Sequence, residues 1–224
     1  MSLPQHFLDR PSAKAKHVAG RLCLDFVNLV GGWRDAEPGS KQGRFSIRED
    51  RLTDYLDIVA WAFRADLINE TQVKRMTTEA ARRPDDATKI WKRGQRLRDA
   101  IHSAATRIER GIAPESGALD VLSEEISRAW SKQRLTSGSP NLIWSTEADP
   151  ASLDAPLAAV ALSTEEFFTS ADLTRLHSCP GDECGWMFED TSRNRSRRWC
   201  DMGDCGNTAK VREFRSRQSG ARRT

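Results

Sequence analysis

The sequence has no run of about eighteen apolar residues, so no membrane-spanning helix is predicted. Its opening stretch, MSLPQHFLDRPSAKAKH, lacks an apolar core of the secretory type, so a cytoplasmic location is expected. Histidine is scarce: His6, His17, His102 and His177 are scattered, and none suggests a metal or catalytic role except His177, two residues before a cysteine. No nucleophile–base pair stands out, so an enzyme is not expected. No internal repeat or low-complexity tract interrupts the chain. Cysteine totals five, and an odd number in a chain with no secretory signal argues against a disulfide framework.

What the sequence does have is concentrated near its end. Cys179, Cys184, Cys200 and Cys205 form a C-x4-C pair, fifteen intervening residues and a second C-x4-C pair. Two close pairs joined by a loop can bring four sulfurs to the corners of a tetrahedron, each about 2.3 Å from a zinc ion. Redox-active thiols and unrelated cysteines are the alternatives. Four thiolates leave no coordination position for water, so the expected zinc is structural rather than hydrolytic; His177 is a substitute ligand only if one thiolate is not used. A module of this size buries too little apolar surface to fold alone, and the metal would supply much of its stability. Gly181 and Gly185 stand where the backbone must bend around the ion. Asp204 is the expected cap of a following helix on which Val211 and Phe214 would face the metal core.

Charge is uneven. The net charge is +3, but residues 191–224 hold ten Lys and Arg against three acids, a balance of +7, leaving −4 for the rest. A mildly acidic body with a basic end suggests a polyanionic partner, and DNA is the leading candidate. The candidate DNA-binding residues are Arg193, Arg195, Arg197 and Arg198 in the loop between the cysteine pairs, and Lys210, Arg212, Arg215 and Arg217 on the helix after them. The plainer reading is that these arginines are solvated or pair with acids such as Glu189 and Asp190.

The remainder reads as helical. Residues 1–17 look like a flexible leader. GRLCLDFVNLVGGWR, residues 20–34, fits a buried strand or a buried helix equally well. Asp25 and Asn28 are polar in that apolar run and need partners if buried; they are also the candidate lining of a ligand pocket. A loop rich in Gly, Lys and Ser follows at 35–45. Helices are expected near 50–66, with Ser46 and Glu49 as a capping box, near 70–82 behind Asn69 or Thr71, at 86–110 with a stripe of Ile90, Leu97, Ile101, Ala104, Ala105 and Ile108, at 115–131 and at 157–169. Pro84 separates two of them. A turn and short strand fall at Leu142–Trp144, and Pro150 and Pro156 bound a linker. Trp61, Trp91, Trp130 and Trp144 are expected in the core. The fold class is mainly α, with a helical domain at 18–172, a small α+β zinc module at 173–218 built like a treble clef (a short hairpin plus a basic helix), and a basic tail at 219–224.

The stretch CGWMFEDTSRNRSRRWCDMGDCGNTAKVREF resembles the CGNR zinc finger found at the C-terminus of bacterial proteins regarded as stress-induced transcription regulators. Those proteins carry an N-terminal ABATE domain with an LCLDFxNT-like motif, which is similar to Leu22–Leu29 here. Two departures stand out. Thr208 occupies the place of the final arginine in Cys205-Gly206-Asn207-Thr208, and Leu29 replaces the motif's threonine. The resemblance implies a DNA-binding regulator whose helical domain senses a small-molecule effector or forms a homodimer. The alternative is a zinc-stabilised protein-interaction module that does not touch DNA.

Overall fold

The computed structural model describes residues 3–35, 45–46, 48–146, 152–182 and 184–221, with residues 6, 34, 35, 45, 46 and 219–221 described by their backbone alone. The Gly-rich loop, the Pro150 end of the linker and the basic tail therefore lie outside the described residues, wholly or in part. Helices dominate: α1 (Gln5–Leu8), α2 (Leu22–Val27), α3 (Tyr55–Arg64), α4 (Glu70–Arg82), α5 (Pro84–Glu109), α6 (Ser116–Trp130), α7 (Ala155–Ser170) and α8 (Asn207–Ala221). Short antiparallel ladders join β1 (Val30–Gly31) to β4 (Glu49–Asp50), β2 (Arg34–Asp35) to β3 (Phe45–Ser46), β5 (Gln133–Ser137) to β6 (Leu142–Thr146) and β7 (Leu176–Ser178) to β8 (Met187–Glu189). Among the described residues no helix is long and apolar enough to cross a membrane.

The ambiguous run at 20–34 resolves into a buried helical turn followed by a two-residue strand. Cys23, Leu24, Phe26 and Val27 are all buried on α2, which explains why both parities were apolar. The helices around it begin where local chemistry dictates. Asp54, not Ser46 and Glu49, caps α3: its carboxylate accepts from the Asp57 N–H at 3.1 Å while Asp57 reaches back to the Asp54 N–H, and Glu49 lies in β4 instead. Asn69 and Gln72 make the same reciprocal box for α4. Pro84 starts α5 rather than ending a helix, because its missing N–H costs nothing in a first turn. The α5 stripe buries Leu97, Ile101, Ala104 and Ala105.

The expected flexible leader is not one. Residues 3–15 pack on α3: Leu3, Phe7, Ala13 and Ala15 are buried. Arg10 and Ser12 each donate to Asp57 Oδ1 at 2.8 Å, and Arg10 also pairs with Asp54. Asp57, buried and accepting from Thr53 as well, is the hub that fixes the segment. Composition conceals this, since apolar residues spaced among Lys, Arg and Pro look like a solvated tail.

The tryptophans divide. Trp61 is fully buried and packs on Phe26 with ring centroids 4.9 Å apart. Trp130 and Trp144 instead meet edge to face at the surface, 5.3 Å apart. Trp144 lies on β6, and the strand that pairs with it, β5, has the polar sequence QRLTS, which carries little strand signal.

Candidate metal centre and basic surface

The site is built from a hairpin and a helix start. In β7 and β8, Leu176 faces Glu189, His177 faces Phe188 and Ser178 faces Met187. The Cys179 N–H extends that ladder to the Trp186 carbonyl at 2.7 Å, so the first cysteine pair sits in the turn of the hairpin. A Cβ at Gly181 would lie 2.9 Å from Cys205 Sγ, so the turn closes only around a glycine. Gly185 holds φ at +62°, and a Cβ there would come within 2.4 Å of the Trp33 carbonyl oxygen. Of the second pair, Cys200 precedes and Cys205 lies within the turn Met202–Gly206 that leads into α8. Asp201 caps that turn by accepting from the Gly203 N–H at 2.7 Å, and the Asp204 carboxylate meets Lys16.

The four sulfurs all lie within 4.8 Å of one another. Cys184 and Cys200 are 3.6 Å apart, and Cys200 and Cys205 are 3.7 Å apart. Four thiolates around zinc at about 2.3 Å would have edges of about 3.8 Å, whereas a disulfide needs about 2.05 Å. The donor set therefore fits a structural zinc held by Cys179, Cys184, Cys200 and Cys205. Electrostatics agree. Without a cation, hydrogen bonds from Cys184 and Cys200 pull the Cys179 thiol down, and Cys179 in turn holds Cys184 and Cys200 up, so the cluster cannot ionise fully alone. A dication removes that conflict. The Cys200 N–H also donates to Cys179 Sγ at 3.4 Å. His177 lies outside the cluster, with its ring 5.8 Å from Phe188. Cys23 is remote and fully buried, and burial pushes its thiol up to about 12.

The module does not hang from the helical domain; it is clasped by it. Asn28 is buried and makes two bonds to one residue of β8: its Nδ2 donates to the Met187 carbonyl at 2.9 Å, and its Oδ1 accepts the Met187 N–H at 3.0 Å. The Trp186 indole N–H donates to the Val30 carbonyl at 2.6 Å. Glu109, on the last turn of α5, accepts from the Ser178 N–H and hydroxyl, both at 2.6 Å. Arg21 pairs with Glu189 at 2.6 Å, and the Glu189 N–H donates to the Ala19 carbonyl at 2.8 Å. Lys16 reaches Asp201 and Asp204 at 2.6 Å each.

These bonds correct the ligand-pocket expectation. Asn28 spends its amide on Met187. Asp25 Oδ1 accepts from the Ala19 N–H at 2.9 Å. Neither side chain lines the two cavities described among these residues. The polar pair in the apolar run is a connector: one residue shapes the entry to α2 and the other grips β8.

Asp25 has a pH consequence. Burial pushes its carboxyl up to about 6, against the N–H donors of Ala19 and Val18 and the charge of Arg197, which pull it down. In the unfolded chain it titrates near about 3.9. The folded protein therefore keeps a proton that the unfolded chain has released. This contribution to stability is complete below about pH 4 and is lost as pH rises through about 6. Asp25→Asn is expected to flatten the stability–pH curve across that window by on the order of 2 kcal/mol, measured by denaturant unfolding at a series of pH values. A slope identical to that of the parent chain would remove Asp25 as its source.

The candidate DNA-binding cations separate into braces and free charges. Arg197 is a brace: its guanidinium donates to the carbonyls of Val18, Glu189, Trp199 and Cys200 and lies 4.5 Å from the Phe188 ring centroid. A group that saturated is not available to a phosphate, and its assignment to DNA is corrected. Arg195 has positive φ and pairs with Asp172 at 3.0 Å. Arg212 pairs with Asp182, and Arg217 with Glu213 four residues away. These exposed pairs are weak and readily exchanged for a phosphate. Arg193, Arg198 and Lys210 are exposed and have no partner among the described residues, and Arg215 is exposed.

Helix α8 also departs from expectation. Val211 is 40% exposed and Phe214 61% exposed, so neither faces the metal. Met187, Phe188, Cys179 and Cys200 already fill the small core, and α8 runs outward with every residue from Asn207 to Gln218 exposed except the half-buried Ala209. Thr208, in place of the CGNR arginine, stands exposed in its first turn.

The CGNR zinc finger family model matches residues 175–218. The ABATE model, described as "putative stress-induced transcription regulator", matches residues 20–171, more than half of the chain. No curated protein matches.

Proposed function

We propose, from the premise that the chain belongs to the ABATE family and ends in a CGNR zinc finger, that it is a bacterial, cytoplasmic, non-catalytic transcription regulator that binds DNA through α8 and the loop between its cysteine pairs. One observation carries this reading: α8 leaves the zinc site as an exposed helix bearing Lys210, Arg212, Arg215 and Arg217. A lone helix of this length is marginal in water. The zinc-fixed turn anchors its start, and a phosphate backbone is a partner that its charge suits. Binding should weaken linearly in log–log form with salt. The double variant Lys210→Gln, Arg212→Gln should reduce that slope by about two units, seen in a mobility-shift series. Absence of any retained DNA at low salt would sink the reading.

The exposed Val211 and Phe214 favour a second reading, in which α8 docks on another protein. Charge-neutral variants of α8 would then leave its complex intact, and Phe214→Ser would break it.

For the helical domain the reading is a homodimer. The hairpin β5–β6 is a two-stranded ribbon whose outer edges have no strand partner among the described residues, and Leu135, Leu142, Ile143 and Trp144 are all more than half exposed on it. An isolated two-stranded ribbon is marginal, and open apolar edges pair readily with another strand. The same edge on a second copy supplies that strand by twofold symmetry. Sedimentation should show a dimer that Leu142→Lys with Trp144→Lys converts to a monomer. A parent chain that stays monomeric at all concentrations would rule this out.

A further inference from the structure

A groove of about 690 Å³ runs beside the second cysteine pair. It is lined by residues of the loop between the cysteine pairs, from Thr191 to Trp199, by Cys200 to Met202, and by Val18 of the N-terminal segment. That volume is within the range of small-ligand sites.

Its chemistry is divided. Its polar lining includes Arg198, exposed and without a partner among the described residues, and the hydroxyls of Ser192 and Ser196. Ser192 Oγ accepts the Ser196 N–H at 3.0 Å, which holds this corner of the loop in place and leaves the hydroxyl its one proton to donate. The one carboxylate in the lining, Asp201, is engaged by Lys16 and the Gly203 N–H. Trp199 and Met202 supply the large apolar side chains of the lining. A Cβ built on Gly206 would lie 2.9 Å from Met202 Sδ and 3.2 Å from Trp199 Cδ1, so the two side chains meet over that glycine. A free guanidinium and hydroxyls suit a phosphate; an indole and a thioether suit the face of a flat ring.

We propose that this groove binds a nucleotide unit, with its phosphate at Arg198, Ser192 and Ser196 and its base against Trp199 and Met202. This goes beyond the reading of α8 and the loop as a duplex-binding surface, with which it shares the loop cation Arg198; contacts to backbone phosphates give Trp199 and Met202 no ring to seat. The unit is either a free mononucleotide or an unstacked residue of a nucleic-acid strand.

The test uses the full-length, zinc-loaded protein. Calorimetry with nucleoside 5′-monophosphates and their parent nucleosides addresses the free ligand; anisotropy with a labelled single strand and with its duplex addresses the strand. Arg198→Gln, an exposed change expected to leave the thermal midpoint unaltered, should weaken nucleotide or single-strand binding about tenfold. Loss of the phosphate from the ligand should do the same, and Lys210→Gln should leave mononucleotide binding unchanged. Binding of monophosphates assigns the groove to a free effector, and binding of the single strand alone assigns it to nucleic acid. If neither binds, or if Arg198→Gln leaves binding unchanged, the groove is not such a site. Duplex binding that Lys210→Gln weakens and Arg198→Gln does not would overturn the groove while keeping the α8 reading.

Discussion

Chelating the zinc, or replacing Cys200 with Ser, is expected to destabilise the helical domain together with the module. The metal is worth about 10–16 kcal/mol in small zinc units at neutral pH, as much as or more than the whole stability of an ordinary domain, about 5–15 kcal/mol. Once the thiolates lose their cation, four sulfurs within 4.8 Å of one another cannot all stay ionised. The hairpin that carries Met187 and Trp186 then loses its fixed turn. Asn28, the Val30 carbonyl and Glu109 lose their partners in the same event, and buried polar groups left unpaired are costly. Circular dichroism during thermal unfolding should show one cooperative transition in the holo-protein, and chelator should move the whole helical signal to a lower midpoint. Limited proteolysis should then cut within the N-terminal segment near Val18 as well as between the cysteine pairs. A helical domain that keeps its midpoint and is cut only after residue 172 would show that the clasp transmits nothing.

Asn28→Leu is the second large effect. The side chain is similar in size, and the loss is specific: the Met187 N–H and carbonyl both remain buried without their partner. At about 1–3 kcal/mol for each of the two orphaned groups, the cost is about 2–6 kcal/mol. Denaturant unfolding should report it as a lower midpoint at unchanged slope. Zinc content at saturating metal should stay at the parent value, because no ligand has been touched. A loss below about 1 kcal/mol would mean that water reaches the gap and replaces the amide.

The zinc centre was legible in the sequence because its chemistry is local. Four cysteines at two short spacings leave few alternatives, and the hairpin and helix around them follow. The helices were legible through their apolar stripes and, at Asn69, through a cap. What escaped was long-range. Arg197 and Arg198 are neighbours of the same type, and only the carbonyls around Arg197, one of them at Val18, make it a brace and its neighbour a free charge. The N-terminal segment looked solvated because its fastening residue, Asp57, is more than forty positions away. Val211 and Phe214 have core-facing spacing, but spacing cannot reveal that Met187 and Phe188 have already filled the core. The unmet need of Asn28 for a partner was visible; the identity of that partner was not.

The Asn28–Met187 clasp also bears on how the chain reaches its fold. The two residues are 159 positions apart, and Lys16 and Asp204 are 188 apart. During synthesis α2 therefore emerges long before β8, and although α5 and α7 cover much of its buried face earlier, Asn28 waits for the zinc module. Contacts of such separation slow folding, because the closure entropy is lost before the contact rewards it. They also leave apolar surface open to misassociation in the interval. The last cysteine to leave the ribosome, Cys205, completes the metal site, so availability of zinc at that moment would govern the yield of folded protein as well as its final stability.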